Sequence, residues 1–273
     1  MSSTTLAFIG AGNMSRAIIG GLLNQGFSAN TLWATDRNAD AMKDLASQGM
    51  HTTSNNAEAV SHADVVILCV KPQVLKDVCV DLRDAVQARK PLIISVAAGI
   101  TTQSINEWLG GDIAVVRAMP NTPALVGEGA TGLFANADVS DEQKQLASNV
   151  ASATGLALWV NDEALIDSVT AVSGSGPAYY FLMMEAMIAA GEKLGLTAES
   201  AKALTLQTAL GAAKMAKESE FDPAELRRRV TSPNGTTEKA IESFLADGLP
   251  ATVEKALEAC ADRSKALAAE LAK

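Results

Sequence analysis

A chain of 273 residues is long enough to bury a large core in one or two domains. Its hydrophobic fraction of 48% against 19% charged residues describes a folded globular chain, and a net charge of −9 argues against nucleic-acid or anionic-membrane surfaces, whose phosphates call for Lys and Arg. Three cysteines without C-x-x-C spacing argue against a disulfide framework or a zinc site, and no apolar run approaches the roughly 20 residues of a membrane span. Together with the lack of a basic leader, this predicts a cytoplasmic protein.

An apolar run over 6–9 reads as a short buried strand. It stops at Gly10-Ala11-Gly12 and passes into helical periodicity through Met14, Ala17, Ile18, Gly21 and Leu22. A strand ending in Gly-x-Gly and opening into a helix is a dinucleotide-binding arrangement. The glycines permit a tight turn and close approach of a pyrophosphate, and the helix N-terminus offers N–H groups to the anion. Ser15 stands at the usual third glycine, and by themselves the glycines also suit a plain strand–helix turn.

The context decides. A strand over 31–35 ends at Asp36-Arg37, followed by a helix over 39–47, a short strand over 50–53 and helical turns over 56–62. The run Asp64-Val-Val-Ile-Leu-Cys-Val70 is apolar throughout, as in a parallel strand buried on both faces, and ends at Lys71-Pro72. A helix over 74–88, strands over 91–96, 113–116, 131–135 and 156–160, and helices over 102–109 and 141–154 continue the alternation, with Ser140 and Gln143 spaced as a capping box. The fold class predicted is α/β, an N-terminal doubly wound, Rossmann-type parallel sheet followed by an all-α domain. From 162 onward only helical spacing recurs, over 164–172, 177–194, 198–218, 223–230, 236–246 and 250–271. The domains are therefore placed at 1–161, binding NAD(P), and 162–273, all-helical. Ala and Leu occupy more than one face of 177–194 and 198–215, which predicts a homodimer through these helices.

The chemistry is expected in loops beyond the carboxyl ends of strands. Gly10, Ala11, Gly12, Asn13 and Met14 would meet the pyrophosphate. Val70, Lys71 and Pro72 would approach the ribose or nicotinamide side, Lys71 being either a cation near phosphates or an exposed turn lysine. Val96, Ala97 and Ala98 are small, for access of a nicotinamide ring or for close helix–strand packing. Asp36 favours the free 2′-hydroxyl of NAD, whereas Arg37 can pair with the 2′-phosphate of NADP. With Thr35 and Asn38 adding polar groups, NADP(H) is favoured and NAD(H) is the alternative. The remote loop Val230-Thr-Ser-Pro-Asn-Gly-Thr-Thr-Glu238 can hold a carboxylate with hydroxyls and free N–H groups, or can be an ordinary N-cap by Thr236. Arg227-Arg228-Arg229 reads as a solvated or ion-paired helix end. His51 and His62 lie away from the strand-end loops, and no Ser/His/Asp, Cys/His or metal-ligand arrangement stands out. Hydride transfer by cofactor, positioning and hydroxyls needs none of these.

Gly10-x-Gly12-x-Met14, Cys69-Val-Lys-Pro72, Met119-Pro-Asn-Thr-Pro-Ala124, Ser173-Gly-Ser-Gly-Pro-Ala-Tyr179 and the 230–237 turn, in this order along the whole chain, resemble the pyrroline-5-carboxylate reductases. The resemblance implies reduction of L-1-pyrroline-5-carboxylate to L-proline with NADPH or NADH, the final step of proline synthesis. It also implies a dimerising helical domain, with dimers often assembled into a decamer. It adds Asn56 to the cofactor contacts, puts Glu163 and Thr237 at substrate positions and lines a carboxylate pocket with Ser232, Gly235 and Thr236. The Thr237 hydroxyl would then serve the imine nitrogen. Asn234 stands where many members have Gly, and the turn should survive because Asn tolerates positive φ. A related 3-hydroxyacid dehydrogenase would need a Lys early in the long helix after Gly176, and none precedes Lys193.

Overall fold

A computed structural model describes residues 4–271. The first half alternates as β1 (Leu6–Ile9), α1 (Asn13–Asn24), β2 (Leu32–Thr35), α2 (Lys43–Ser47), β3 (His51–Thr53), α3 (Asn56–His62), β4 (Val65–Leu68), α4 (Pro72–Arg89), β5 (Leu92–Ser95) and α5 (Thr102–Trp108). It continues through β6 (Val115–Met119), β7 (Gly129–Ala135), α6 (Asp141–Ser152) and β8 (Gly155–Trp159). Helices α7 (Leu165–Val169), α8 (Gly176–Lys193), α9 (Ala198–Glu218), α10 (Pro223–Arg229), α11 (Thr236–Ala246) and α12 (Leu249–Leu271) complete the described chain.

The eight strands form one sheet in the order β3-β2-β1-β4-β5-β6-β7-β8. Strands β1, β4 and β5 are buried at every position because helices cover both faces. Alternate residues feed two cores. Leu6, Phe8, Ile67 and Ile94 join Ile18, Ile19 and Leu22 of α1 on one face. Ala7, Ile9, Val66 and Ile93 join Leu75, Cys79 and Leu82 of α4 on the other. The order reverses between β1 and β4, the switch point where doubly wound folds open a ligand crevice.

The expected all-parallel sheet fails at one place, since β7 runs antiparallel to β6, with Val116 opposite Ala135 and Met119 opposite Gly132. The connection between them holds only the 3-10 turn Thr122–Val126, too short for the crossover helix that a parallel neighbour requires. Strand β8 returns parallel to β7 through α6, whose capping box forms as spaced: Ser140 accepts from the Gln143 N–H and Gln143 accepts from the Ser140 N–H.

Two helical expectations divide. The 39–47 stretch is a 3-10 turn, Ala39–Met42, leading into α2. The 164–172 stretch is α7 followed by a π-helical turn, Thr170–Gly174, in which the Ser175 N–H donates to the Thr170 carbonyl at 2.8 Å. Gly174 there leaves only 2.6 Å between Met119 Cε and the place a Cβ would take.

By contacts the described chain forms two compact units, one running to Ser175 and resuming at Ala259, the other Gly176–Glu258. Secondary structure changes character after Trp159, but α7 and the last half of α12 keep company with the sheet. Ile166 is fully buried, the Ser264 hydroxyl donates to Asp167 at 2.6 Å, and Leu271 packs on the α4-side core. In the second unit α8 packs on α9, Gly191 against Ala201, and α8 exposes Tyr180, Phe181, Leu182 and Met187.

Gly21 meets the Ala153 carbonyl so closely that a Cβ would overlap it, whereas Gly20 has open space around the same point. Gly21→Ala should therefore lose roughly 1–3 kcal/mol in urea unfolding, while Gly20→Ala, with the same gain in helix propensity, should be neutral or stabilising by up to about 1 kcal/mol. Equal midpoints for the two variants would refute close packing of α1 on the 153 turn.

Candidate functional site

The glycine loop is stitched to the strands on either side of β1. Gly10 has φ +101°, open to glycine and unfavourable to other residues, and a Cβ on it would stand 3.2 Å from the Cys69 carbonyl and from Val70 Cγ1. Its N–H donates to the Thr35 carbonyl at 3.0 Å, and the Ala11 N–H donates to Asp36 Oδ2 at 3.2 Å. Gly12 is the N-cap of α1. It carries no side-chain cap, and nothing lies within 4 Å of where its Cβ would be. The start of α1 thus has open space beside its N-cap and no side chain capping its first-turn N–H groups, which fits the pyrophosphate of a dinucleotide.

Ser15, unassigned in the sequence beyond its place in the motif, is fully buried and its hydroxyl donates to the Gly10 carbonyl. The hydroxyl occupies the tight helix–strand approach that a third glycine would otherwise leave free. Burial pushes the neighbouring Cys69 thiol up to about 12, with the Ser15 hydrogen bond opposing, so Cys69 packs as a thiol. Arg16 is a second residue the motif did not reveal. Its Nε donates to the Ala11 carbonyl at 3.2 Å and its guanidinium pairs with Asp44 and the Ala41 carbonyl. The hydrogen bond that Arg16 donates to Asp44 raises the Arg16 pKa, and the cation is committed to that carboxylate.

At the end of β2, buried Thr35 donates to Asn56 Oδ1 at 2.6 Å, which brings the first residue of α3 to the rim of the crevice. Asp36 also accepts the Asn38 N–H on Oδ1 at 2.9 Å, while Arg37 is exposed and has no partner among the described residues. Beyond β4, Lys71 is the exposed N-cap of α4 and Pro72 its first residue. Beyond β5, the Val96 N–H donates to the Leu68 carbonyl at 3.2 Å. Ala97 is buried, and Ala98 is exposed. Ala97 is thus taken up by packing, and Ala98 is left at the surface. The residues 10–14, 35–37, 56, 70–72 and 96–98 all gather beyond the carboxyl ends of β1, β2, β4 and β5.

Glu163 belongs to the same unit and is already engaged. Its Oε1 accepts the Thr102 N–H at 2.8 Å and Arg117 Nη1 at 3.3 Å, and its Oε2 accepts the Thr102 hydroxyl at 2.8 Å. Both histidines stack on Trp33, with ring centroids 4.6 Å away for His51 and 4.7 Å for His62. No cluster of metal-ligating residues occurs among the described residues.

In the second unit, the polar turn is held by its own backbone. The Gly235 N–H donates to the Ser232 carbonyl at 2.9 Å, and Asn234, at φ +58°, donates its N–H to Glu238 Oε2 at 2.7 Å. The left-handed Asn234 is the tolerated substitution that the sequence suggests, and Glu238 is its clamp. The N-cap of α11 is Gly235, not Thr236, and it carries no side chain to cap the helix. A Cβ at Gly235 would stand 2.9 Å from the Ser232 carbonyl oxygen, so glycine is required there for space. The Ser232, Thr236 and Thr237 hydroxyls are exposed and make no hydrogen bond among the described residues. Nearby, Arg228 and Arg229 pair with Glu225 and hold its carboxyl down to about 2, and Arg229 lies 3.5 Å from the Phe221 ring centroid, as expected of an ion-paired helix end.

A doubly wound sheet with an open, uncapped glycine turn and a following helical part defines the class of two-part proteins built on a dinucleotide-binding fold. Known proteins sharpen the assignment. A family model described as pyrroline-5-carboxylate reductase dimerisation matches residues 163–267, and one described as NADP oxidoreductase coenzyme F420-dependent matches 5–99. The pyrroline-5-carboxylate reductase of Pseudomonas aeruginosa is 57% identical over 272 residues, 99% of each chain. A solved pyrroline-5-carboxylate reductase from Coxiella burnetii matches with TM-score 0.95 and 48% identity over 97% of this chain and 99% of that one. The Plasmodium falciparum pyrroline carboxylate reductase, solved with NADP bound, matches with TM-score 0.86 and 30% identity over 98% of this chain and 99% of that one. The chain belongs to the pyrroline-5-carboxylate reductase family.

Proposed function

We propose that the protein reduces L-1-pyrroline-5-carboxylate to L-proline, the last step of proline biosynthesis. The observation that carries this reading is the 232–237 turn, three exposed hydroxyls around a side-chain-free helix cap, in a chain similar end to end to reductases of that name. The reduced nicotinamide dinucleotide supplies the hydride, which the imine carbon receives, while the nitrogen gains a proton. Gly10, Ala11, Gly12, Asn13 and Met14 bind its pyrophosphate, with Val70–Pro72, Val96–Ala98 and Asn56 around the rest. The substrate carboxylate is held by the Ser232 hydroxyl and the uncapped amides at Thr236 and Thr237, in room that Gly235 leaves free. The Thr237 hydroxyl donates to the imine nitrogen and so favours electron flow onto it.

The preferred dinucleotide in this reading is NADP(H), with NAD(H) as the alternative. Asp36 already accepts two backbone amides, and Arg37 is the neighbouring cation free to meet a 2′-phosphate. The working form is a homodimer through the C-terminal helices. An open groove of about 760 Å³ lined by Phe181, Met184, Ile188 and Leu206, with Glu185, Glu192 and Lys193 at its sides and exposed Tyr180 and Leu182 beside it, offers apolar side chains for a second copy to cover. The family resemblance extends this to dimers assembled as a decamer. Among the described residues no helix is long and apolar enough to cross a membrane, and the three free thiols fit the reducing cytoplasm.

Purified protein should oxidise NADPH on addition of pyrroline-5-carboxylate and should not reduce NADP+ on addition of 3-hydroxyacids. Thr237→Ala should cost roughly 2–4 kcal/mol at the barrier, a rate loss of about 30- to 1000-fold, with Thr237→Ser largely active. An unchanged rate would remove Thr237 from the chemistry. Arg37→Ala should raise the NADPH KM about tenfold and leave the NADH KM unaltered. Equal effects on both would assign Arg37 no part in the preference. Sedimentation at micromolar concentration should give a dimer or a multiple of it, and a monomer would disprove the interface.

A further inference from the structure

We propose that Arg117 and Thr102 are positioning residues that act through Glu163 to fix the 96–101 loop, and with it the nicotinamide side of the dinucleotide site. The inference rests on the reductase reading, which assigns Val96, Ala97 and Ala98 to the cofactor.

Arg117 lies on β6 in register beside Ser95, the last residue of β5, and is only 4% exposed. A guanidinium taken that far out of water needs compensation. Its Nη1 reaches Glu163 at 3.3 Å, and its Nε is buried without any partner. Glu163 is therefore the carboxylate on which this buried cation depends. It arrives from the segment after β8 and gives both oxygens to Thr102, which donates its N–H and its hydroxyl at 2.8 Å each.

Thr102 opens α5 and so closes the loop that begins at Val96. The opposite end of that loop is tied to the sheet by the Val96 N–H on the Leu68 carbonyl and the Ala97 N–H on Ser95 Oγ at 3.3 Å. Between these anchors Gly99 takes φ +74° and Ile100 is buried. With both ends pinned, the exposed Ala98 has little freedom. The far pin is a carboxylate whose acceptor sites are mostly filled by three donors, leaving it poorly placed to exchange a proton or to serve as the main substrate ligand. Glu163 thus works on the cofactor side, through the loop, rather than on the imine.

The test measures dinucleotide Kd by quenching of intrinsic fluorescence, alongside steady-state kinetics. Glu163→Gln should weaken dinucleotide binding roughly tenfold, with the imine KM within about twofold of the parent and the shape of the kcat–pH profile unchanged. Thr102→Val, which alters no charge and keeps the fold if Glu163→Gln does not, should move Kd in the same direction by a smaller factor. Arg117→Met should be at least as damaging as Glu163→Gln. The double variant Arg117→Met/Glu163→Gln should be less damaging than the product of the singles, because no buried charge is then left unpaired. A rise in imine KM with dinucleotide Kd unchanged, a lost limb of the pH profile in Glu163→Gln, or independent effects in the double variant would overturn the proposal. A parent protein that binds the dinucleotide and does not reduce the imine would instead overturn the reductase reading.

Discussion

The structure turns on the contact between Gly10 and the end of β4. A backbone at φ +101° with the Cys69 carbonyl 3.2 Å from the missing Cβ leaves one residue type that fits. Around it, the Cys69 N–H donates to Ile9, the Gly10 N–H to Thr35, the Ala11 N–H to Asp36 and the Ser15 hydroxyl to Gly10. One turn is therefore bonded to β1, β2, β4 and α1 at once. The direction of α1 and the opening of its N-terminus follow from that, since the helix has no other cap. Ser15 shows how the constraint accommodates a departure from the glycine pattern. A buried hydroxyl is tolerable only when bonded, and here its acceptor is the carbonyl of that same glycine.

Charge is distributed to match. The chain carries −9 overall, and the cations near the glycine turn divide into one that is committed and two that are free. Arg16 is neutralised by Asp44 and serves to tie the turn to the 39–47 segment, whereas Arg37 and Lys71 are exposed. In the proposed reading a pyrophosphate at the turn itself meets backbone N–H groups first, whose contribution does not depend on net charge. The polar turn in the second unit follows the same logic with hydroxyls and an uncapped helix. Both histidines, the usual proton carriers near neutral pH, are stacked on Trp33 at the outer strands. A reaction in which a hydride and a proton are delivered to a preformed imine needs orientation and one donor, the part that the proposed function gives to the exposed hydroxyls of the 232–237 turn.

What the sequence made legible was mostly local. Continuous apolar runs marked β1, β4 and β5, the Ser140–Gln143 box and the Asp222 cap marked helix starts, and Gly10 and Gly12 marked the turn from β1 into α1. Strand direction was not legible, because an apolar or alternating pattern is the same read either way. For β7 the direction is decided by the length of the connection, and a 3-10 turn with Pro123 inside it and Pro120 just before it leaves no room for a crossover helix. The cap of α11 was a choice between neighbours of similar aptitude, settled for Gly235 by the Ser232 carbonyl that crowds its missing Cβ. The periodicity of α12 is one continuous helical pattern, and nothing in it records that its residues from Ala259 onward pack with the sheet.

The least legible part is also the most consequential for the site. Arg117, Thr102 and Glu163 are separated by tens of residues, and each alone has an ordinary reading: a strand residue, a helix start and an acidic turn. Their joint meaning comes from burial. An arginine facing the core of a sheet is costly unless a carboxylate meets it, and a carboxylate brought there for that purpose has acceptor sites left for the nearest backbone donor. The first N–H of α5 is that donor, since a helix start leaves it without an intrahelical acceptor. The same electrostatic requirement that keeps Arg117 tolerable therefore fixes where α5 begins, and so how far the loop after β5 can move.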